Sequence, residues 1–255
     1  MAKNTKKIED VGDAIRKPPM ETDELRKGIE KFFREIQYPD LNKIDRNVGG
    51  FKWGVYAFYD YDGEPIYVGQ TKERLSGRVR RHLTNQRTDA VAMSVLDPFE
   101  VSEIEVWPLP QFEGIGGNEE SAKLAKEYLN ALELAVFTRL RNASRFKAIL
   151  NEKDPPPSDL EIQEPESRRG SIVSAEVRVL REHPDTRLAR RALIVSKLAQ
   201  VISERELKHA GLRRVLLTQT KRMQWLAERR FAGVGGDASV EAGPENEDEI
   251  DSGGN

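Results

Sequence analysis

The stretch Gly54-Val55-Tyr56-Ala57-Phe58-Tyr59-Asp60-Tyr61-Asp62-Gly63-Glu64-Pro65-Ile66-Tyr67-Val68-Gly69 decides the fold. It reads as a β-hairpin: an aromatic and β-branched run, the turn signal Asp62-Gly63, then a second run of strand formers. With Asp62 and Gly63 as a two-residue loop, Tyr61 pairs with Glu64, Phe58 faces Tyr67 and Tyr56 faces Gly69. Side chains alternate with period two, so Tyr56, Phe58 and Tyr67 share one face. Tyr56 and Tyr67 are then diagonal neighbours, roughly 7–8 Å apart at Cα. Gly69 leaves space beside them, and two phenols are held together over that gap.

Upstream, residues up to about Met20 are polar and read as a flexible arm ending in Pro18-Pro19. A helix is expected from Thr22 or Asp23 to about Phe33, with Leu25, Ile29, Phe32 and Phe33 as its apolar stripe. A polar connection, Tyr38 to Gly50, leads into the hairpin. Downstream, Thr71 is a candidate N-cap for a helix whose stripe is Leu75, Val79 and Leu83. Arg78 and His82, at i and i+4, flank the side that packs on the sheet. Arg80 and Arg81 read as a solvated basic face.

Phe99 to Trp107 reads as a third strand with a bulge near Ser102. A long helix comes next, from Asn118 or Ser121 to Leu140, carrying Ala125, Tyr128, Leu129, Leu132, Val136 and Leu140 inward. Glu133 sits at the edge of that stripe, and no lysine or arginine lies one turn away on its own helix. A carboxylate there is costly without a partner, so it calls for a metal ion or an arginine from another element, such as Arg78. Phe146, Ile149 and Leu150 suggest a short helix closing at Asn151. Asp154-Pro155-Pro156-Pro157-Ser158 then breaks the chain.

Composition bounds the rest. The chain has 255 residues, no cysteine and three histidines without ligand spacing, which excludes disulfides, thiolate metal sites and zinc fingers. No apolar run has the length of a signal peptide or membrane span, so an intracellular, cytoplasmic protein with no membrane partner is expected. The net charge of −2 conceals an asymmetry. Residues 171–232 read as two or three helices with a charge of about +8, whereas residues 233–255 are acidic and read as disordered. The expected organisation is an arm and helix over 1–50, a catalytic domain over 51–153, a Pro/acidic linker over 154–170, the basic helical module, and the tail.

Two phenols, an Arg/His pair and an isolated carboxylate contain no good nucleophile, and no glycine-rich phosphate loop is present. They suit metal-assisted hydrolysis of an anionic ester. In order along the chain, these segments resemble the GIY-YIG nuclease domain. Gly54-Val55-Tyr56 and Tyr67-Val68-Gly69 match its two name motifs with Val for Ile, and the Arg74–Arg80 segment resembles the helix after them. Ala131-Leu132-Glu133 resembles the segment carrying the metal-binding glutamate, and Lys147–Asn151 resembles the closing motif. The resemblance spans roughly residues 51–151. Gln70 stands where several members carry a lysine, and Asn151 lies further from Glu133 than usual, with Asn142 the runner-up for its place.

The resemblance implies an α+β fold: a small three-stranded antiparallel sheet flanked by helices, here followed by the basic helical module. It implies a DNA endonuclease with Tyr56 as general base, aided by His82 or Lys72, and Tyr67 on the phosphate or water. Arg78 would stabilise charge, Glu133 would hold Mg²⁺ or Mn²⁺, and Asn151 would complete the site. The alternative is a catalytically inactive nucleic-acid-binding or regulatory protein on the same fold.

Overall fold

The computed structural model describes residues 19–84, 95–115, 119–204 and 210–236. The expected N-terminal arm up to residue 18, the start of the long helix at Asn118, and the acidic tail beyond residue 236 lie outside these residues. Helix α1 (Met20–Glu35) buries Leu25, Ile29, Phe32 and Phe33, as its stripe predicts. The connection after it contains a two-stranded ribbon, β1 (Gln37–Pro39) with β2 (Asp45–Asn47). Strands β3 (Gly54–Tyr59) and β4 (Pro65–Thr71) form the hairpin, and helix α2 spans Leu75–Thr84. Strand β5 (Glu103–Pro108), helix α3 (Glu119–Ala143), strand β6 (Arg168–Ser171), and helices α4 (Ala175–Arg181), α5 (Pro184–Glu204) and α6 (Gly211–Gly233) complete the chain.

The main sheet is antiparallel with order β4-β3-β5-β6, so it has four strands where three are expected. The additional strand, Arg168-Arg169-Gly170-Ser171, lies where the sequence reads as linker running into the basic module. It lacks an apolar alternation because backbone pairing and charge hold it at the edge. Arg169 bonds Glu103 at 2.6 Å and lies 3.6 Å over the Tyr59 ring. Gly170 lets the strand lie close to α1, where a Cβ would come within 3.2 Å of the Phe32 ring.

Central strand β3 is buried on both faces. On one face Val55, Ala57, Val68 and Trp107 pack against Leu129, Leu132, Val136 and Phe137 of α3. On the other, Tyr56, Phe58, Ile104 and Val106 join α1, α2 and the C-terminal helices, including Ile194, Leu198 and Val215. The sheet is therefore the middle layer between helices.

The hairpin register places Phe58 opposite Tyr67 and Tyr56 opposite Gly69, as the alternation predicts. Its turn differs from expectation. A register shift at Phe58/Tyr59 makes the loop three residues, Tyr61 to Gly63, closed by Gly63 N–H to Asp60 O and Asp60 N–H to Glu64 O, both at 3.0 Å. Gly63 adopts φ +74°, the left-handed residue such a loop requires. The buried Asp60 carboxylate causes the difference. Its Oδ1 accepts from the backbone N–H of Asp62 (2.9 Å) and Glu64 (3.0 Å).

Asp60 Oδ2 accepts from Arg187 at 3.3 Å, Arg191 at 3.1 Å, and Arg222. Arg187 also reaches Asp62 at 2.6 Å and Arg191 reaches Glu100 at 3.0 Å. Three arginines of α5 and α6 thus balance three carboxylates in the interior, as a buried ionic cluster must. These arginines belong to the positive charge that residues 171–232 carry in sequence. They are 2–3 % exposed and face the hairpin turn.

The chain after α3 also differs from expectation. In place of a short helix, residues 144–150 are irregular, with Lys147 at φ +51°. This path carries Leu150 N–H to Ile66 O (2.9 Å), against the open edge of β4.

Removing the Asp60 carboxylate leaves three interior arginines short of a partner. Asp60→Ala should therefore lose about 3–5 kcal/mol of stability in chemical denaturation. A surface change such as Arg80→Ala should stay within about 0.5 kcal/mol of wild type. Equal stability of all three proteins would contradict the assigned role of the cluster.

Candidate active site

Strand β4 is an edge strand, and the candidate groups gather around that edge from both faces of the sheet. Tyr56 lies fully buried on the α2 face, and its hydroxyl sits 3.2 Å from His82 Nδ1. Tyr56 and Tyr67 stack with centroids 6.2 Å apart, and His82 meets the Tyr67 ring edge-on at 4.4 Å. The space beside Gly69 is occupied by these phenols: a Cβ there would come within 2.7 Å of the Tyr56 hydroxyl. Glycine is thus needed for close approach of a ring to the strand.

Helix α2 aims Arg78 and His82. Leu75, Val79 and Leu83 are buried, which fixes the helix face, and Leu75 N–H bonds Phe51 O at 2.8 Å. Thr71 is not the N-cap of this helix. Its hydroxyl accepts from Glu73 N–H at 2.9 Å and so closes the turn that precedes the helix. Arg78 is half-buried against the Tyr56 hydroxyl. Burial favours its neutral form, but the charge and hydrogen bond of Tyr56, with the charges of Tyr67 and Glu73, outweigh this and raise its pKa. Arg81 instead pairs with Glu73, and Arg80 and Lys72 are exposed.

Glu133 approaches from α3 on the opposite face and is 9 % exposed. Its direct partner is Gln70, whose Nε2 donates to Glu133 Oε2 at 2.8 Å and to Asn130 Oδ1 at 2.9 Å. The sequence marks Gln70 only as a departure from a family lysine. Its even register in β4, on the α3 face with Val68, is the signal that could have placed it beside Glu133. Among the described residues Glu133 forms no ion pair. Burial pushes its pKa up, while Gln70 and the charge of Arg78 oppose that rise.

Asn151 reaches the same edge. Its Oδ1 accepts from Val68 N–H at 3.1 Å and its Nδ2 donates to Val68 O at 2.8 Å, completing the pairing that a fifth strand would supply. Its amide is committed to holding β4. Asn142 is exposed on α3, and its backbone carbonyl accepts from Lys147 Nζ at 2.6 Å. Tyr67, His82, Glu133 and Asn151 line one cleft of about 360 Å³, walled by Val95, Leu96 and the segment Glu152–Pro156.

Among the described residues no group of three or more His, Cys, Asp or Glu could form a protein-only metal cage. One carboxylate in a water-accessible cleft suits a hard divalent ion that keeps most of its waters and takes further oxygens from a phosphate. The donor set therefore fits Mg²⁺ or Mn²⁺ as well as one carboxylate can. It offers nothing to a thiophilic metal.

Because folding raises the Glu133 pKa, its favourable protonated state is fully available below the ordinary carboxylate range and is lost as pH rises through the raised value. Glu133→Gln keeps the shape and stays neutral. It should melt above wild type near pH 8, with the two proteins converging near pH 4. Melting curves that coincide at both pH values would show that ionised Glu133 carries no burial cost.

The family model described as GIY-YIG catalytic domain matches residues 52–112. No curated protein and no solved structure matches the chain. The matched segment holds Tyr56, Tyr67, Arg78 and His82, whereas Glu133 and Asn151 lie beyond it and join the site only through the fold. Residues 52–112 are thus similar to the GIY-YIG catalytic domain, which belongs to a nuclease-type family.

Proposed function

We propose that this protein is a metal-dependent endonuclease that hydrolyses phosphodiester bonds in DNA. The observation that carries the reading is the meeting of groups from both sheet faces at one edge: Tyr67 and His82 from one side and Glu133 from the other line the same cleft. Each has a role in ester hydrolysis that the others cannot fill.

Glu133 would hold Mg²⁺ or Mn²⁺, which when bound supplies positive charge to the phosphate and leaving oxygen. Gln70 fixes the orientation of that carboxylate. Tyr56 is fully buried and outside the lining of the cleft. It would take the proton of the attacking water only once its hydroxyl opens to the cleft as substrate and metal arrive, passing its own to His82 Nδ1 at hydrogen-bond distance. A phenol has an ordinary pKa near ~10, so it acts as a relay, and the adjacent Arg78 favours its transient negative charge. Arg78 also offers several N–H donors to the phosphoryl oxygens. Tyr67 orients the phosphate or the water, and Asn151 keeps β4 in place beneath them.

Purified protein should cut or nick DNA with Mg²⁺ or Mn²⁺ and stop when EDTA is added. Tyr56→Phe should lower the rate by about 10²–10⁴-fold, and Glu133→Ala should remove activity. Cleavage that survives both changes would reject the reading. DNA binding without cleavage under either metal would instead assign a binding or regulatory role to the fold.

Gln70→Ala gives a separate test. The lost hydrogen bond leaves burial less opposed, so the Glu133 pKa should rise further in the metal-free protein, read by NMR titration of its carboxyl carbon. An unmoved titration would mean that Gln70 does not tune Glu133.

A further inference from the structure

The segment Asn151–Pro156 lines one side of the cleft as a strap, tied down at several points. Asn151 bonds Val68 on the floor. Arg214 of α6 bonds Asp154 at 2.8 Å and donates to the carbonyls of Asn151 and Glu152, both at 3.4 Å. Gly211 lies so close that a Cβ there would come within 2.2 Å of Glu152 O, so α6 sits directly against the strap backbone. Pro155, Pro156 and Pro157 restrict the backbone at its far end.

Lys153 is the only lysine or arginine among the described residues lining the cleft. It is exposed and forms no ion pair among the described residues, while its neighbour Asp154 is committed to Arg214. Glu152, the other neighbour, is exposed and has its carbonyl held by Arg214. Lys153 also lines a second hollow, of about 390 Å³, which it shares with Gly211 and Arg214 on the far side of the strap. An ammonium on a long side chain is thus carried by a restrained backbone between the cleft and a basic neighbour.

We infer that Lys153 is a substrate-positioning residue, contacting a backbone phosphate next to the scissile one as the strand leaves the cleft toward α6. This rests on the phosphodiesterase reading of the same cleft. The Arg78 guanidinium serves the reacting phosphate, and Lys153 serves its neighbour as a point charge. The contact is blind to base identity, so it sets the position of the strand and the salt dependence of binding without setting sequence preference.

The test uses the full chain carrying Glu133→Gln, so that binding is measured without cleavage. A short fluorescein-labelled DNA duplex is titrated at several salt concentrations and read by fluorescence anisotropy. Adding Lys153→Ala should weaken binding about tenfold and reduce the slope of log Kd against log salt by about 1. Lys153→Arg should restore both, and Lys197→Ala, an exposed lysine on α5, should change neither. In the otherwise wild-type chain, Lys153→Ala should raise KM and leave kcat within about twofold, as expected for uniform binding. Unchanged affinity and slope for Lys153→Ala would overturn the inference even if the wild-type chain cuts DNA. A wild-type chain that binds with Lys153-dependent affinity but never cuts would overturn the nuclease reading and leave the phosphate contact standing.

Discussion

The Asp60 carboxylate ties the two halves of this molecule together. One of its oxygens closes the hairpin loop by accepting two backbone N–H groups, and the other receives three arginines from α5 and α6. Local and long-range structure therefore depend on the same few atoms. A charge at this depth is tolerated because three arginines and two backbone N–H groups meet the Asp60 carboxylate. The balance dictates where α5 and α6 must lie, and their position in turn shapes the cleft.

That shaping is direct. From α6, Gln219 holds the Val95 carbonyl at 3.0 Å on one wall of the cleft, and Arg214 holds the strap on another. The C-terminal helices are thus structural parts of the site. Much of their positive charge is already spent within the protein: Arg187, Arg191 and Arg222 in the interior cluster, Arg190 with Glu21, and Arg230 with Asp185.

An open strand edge normally invites pairing with another chain. Here Leu150 and Asn151 satisfy the edge of β4 locally, through Ile66 and Val68. This frees the same edge to present side chains from both faces, because successive residues of β4 point to opposite sides. Tyr67 turns toward Tyr56 and His82, while Gln70 turns toward Glu133. A central strand could not join groups from the two faces in one water-accessible space.

The sequence by itself determined the pairing of Tyr56 with Gly69 and of Phe58 with Tyr67, the shared face of Tyr56 and Tyr67, and the inward stripes of α1, α2 and α3, while the three-residue loop lay beyond it. Period-two and helical patterns are written by local sterics and apolar burial. The spacing of Leu75, Val79 and Leu83 therefore needs no distant partner to be read. The isolation of Glu133 on its own helix was legible for the same reason, since no lysine or arginine there lies one turn away from it. Only the tertiary structure decided that Gln70 is its partner, that Asn151 completes the β4 edge, and that Arg168–Ser171 is a strand. It alone decided that Arg187, Arg191 and Arg222 face Asp60 rather than solvent. Those outcomes depend on which element packs beside which, and a polar side chain reads alike whether it meets water or a partner far along the chain.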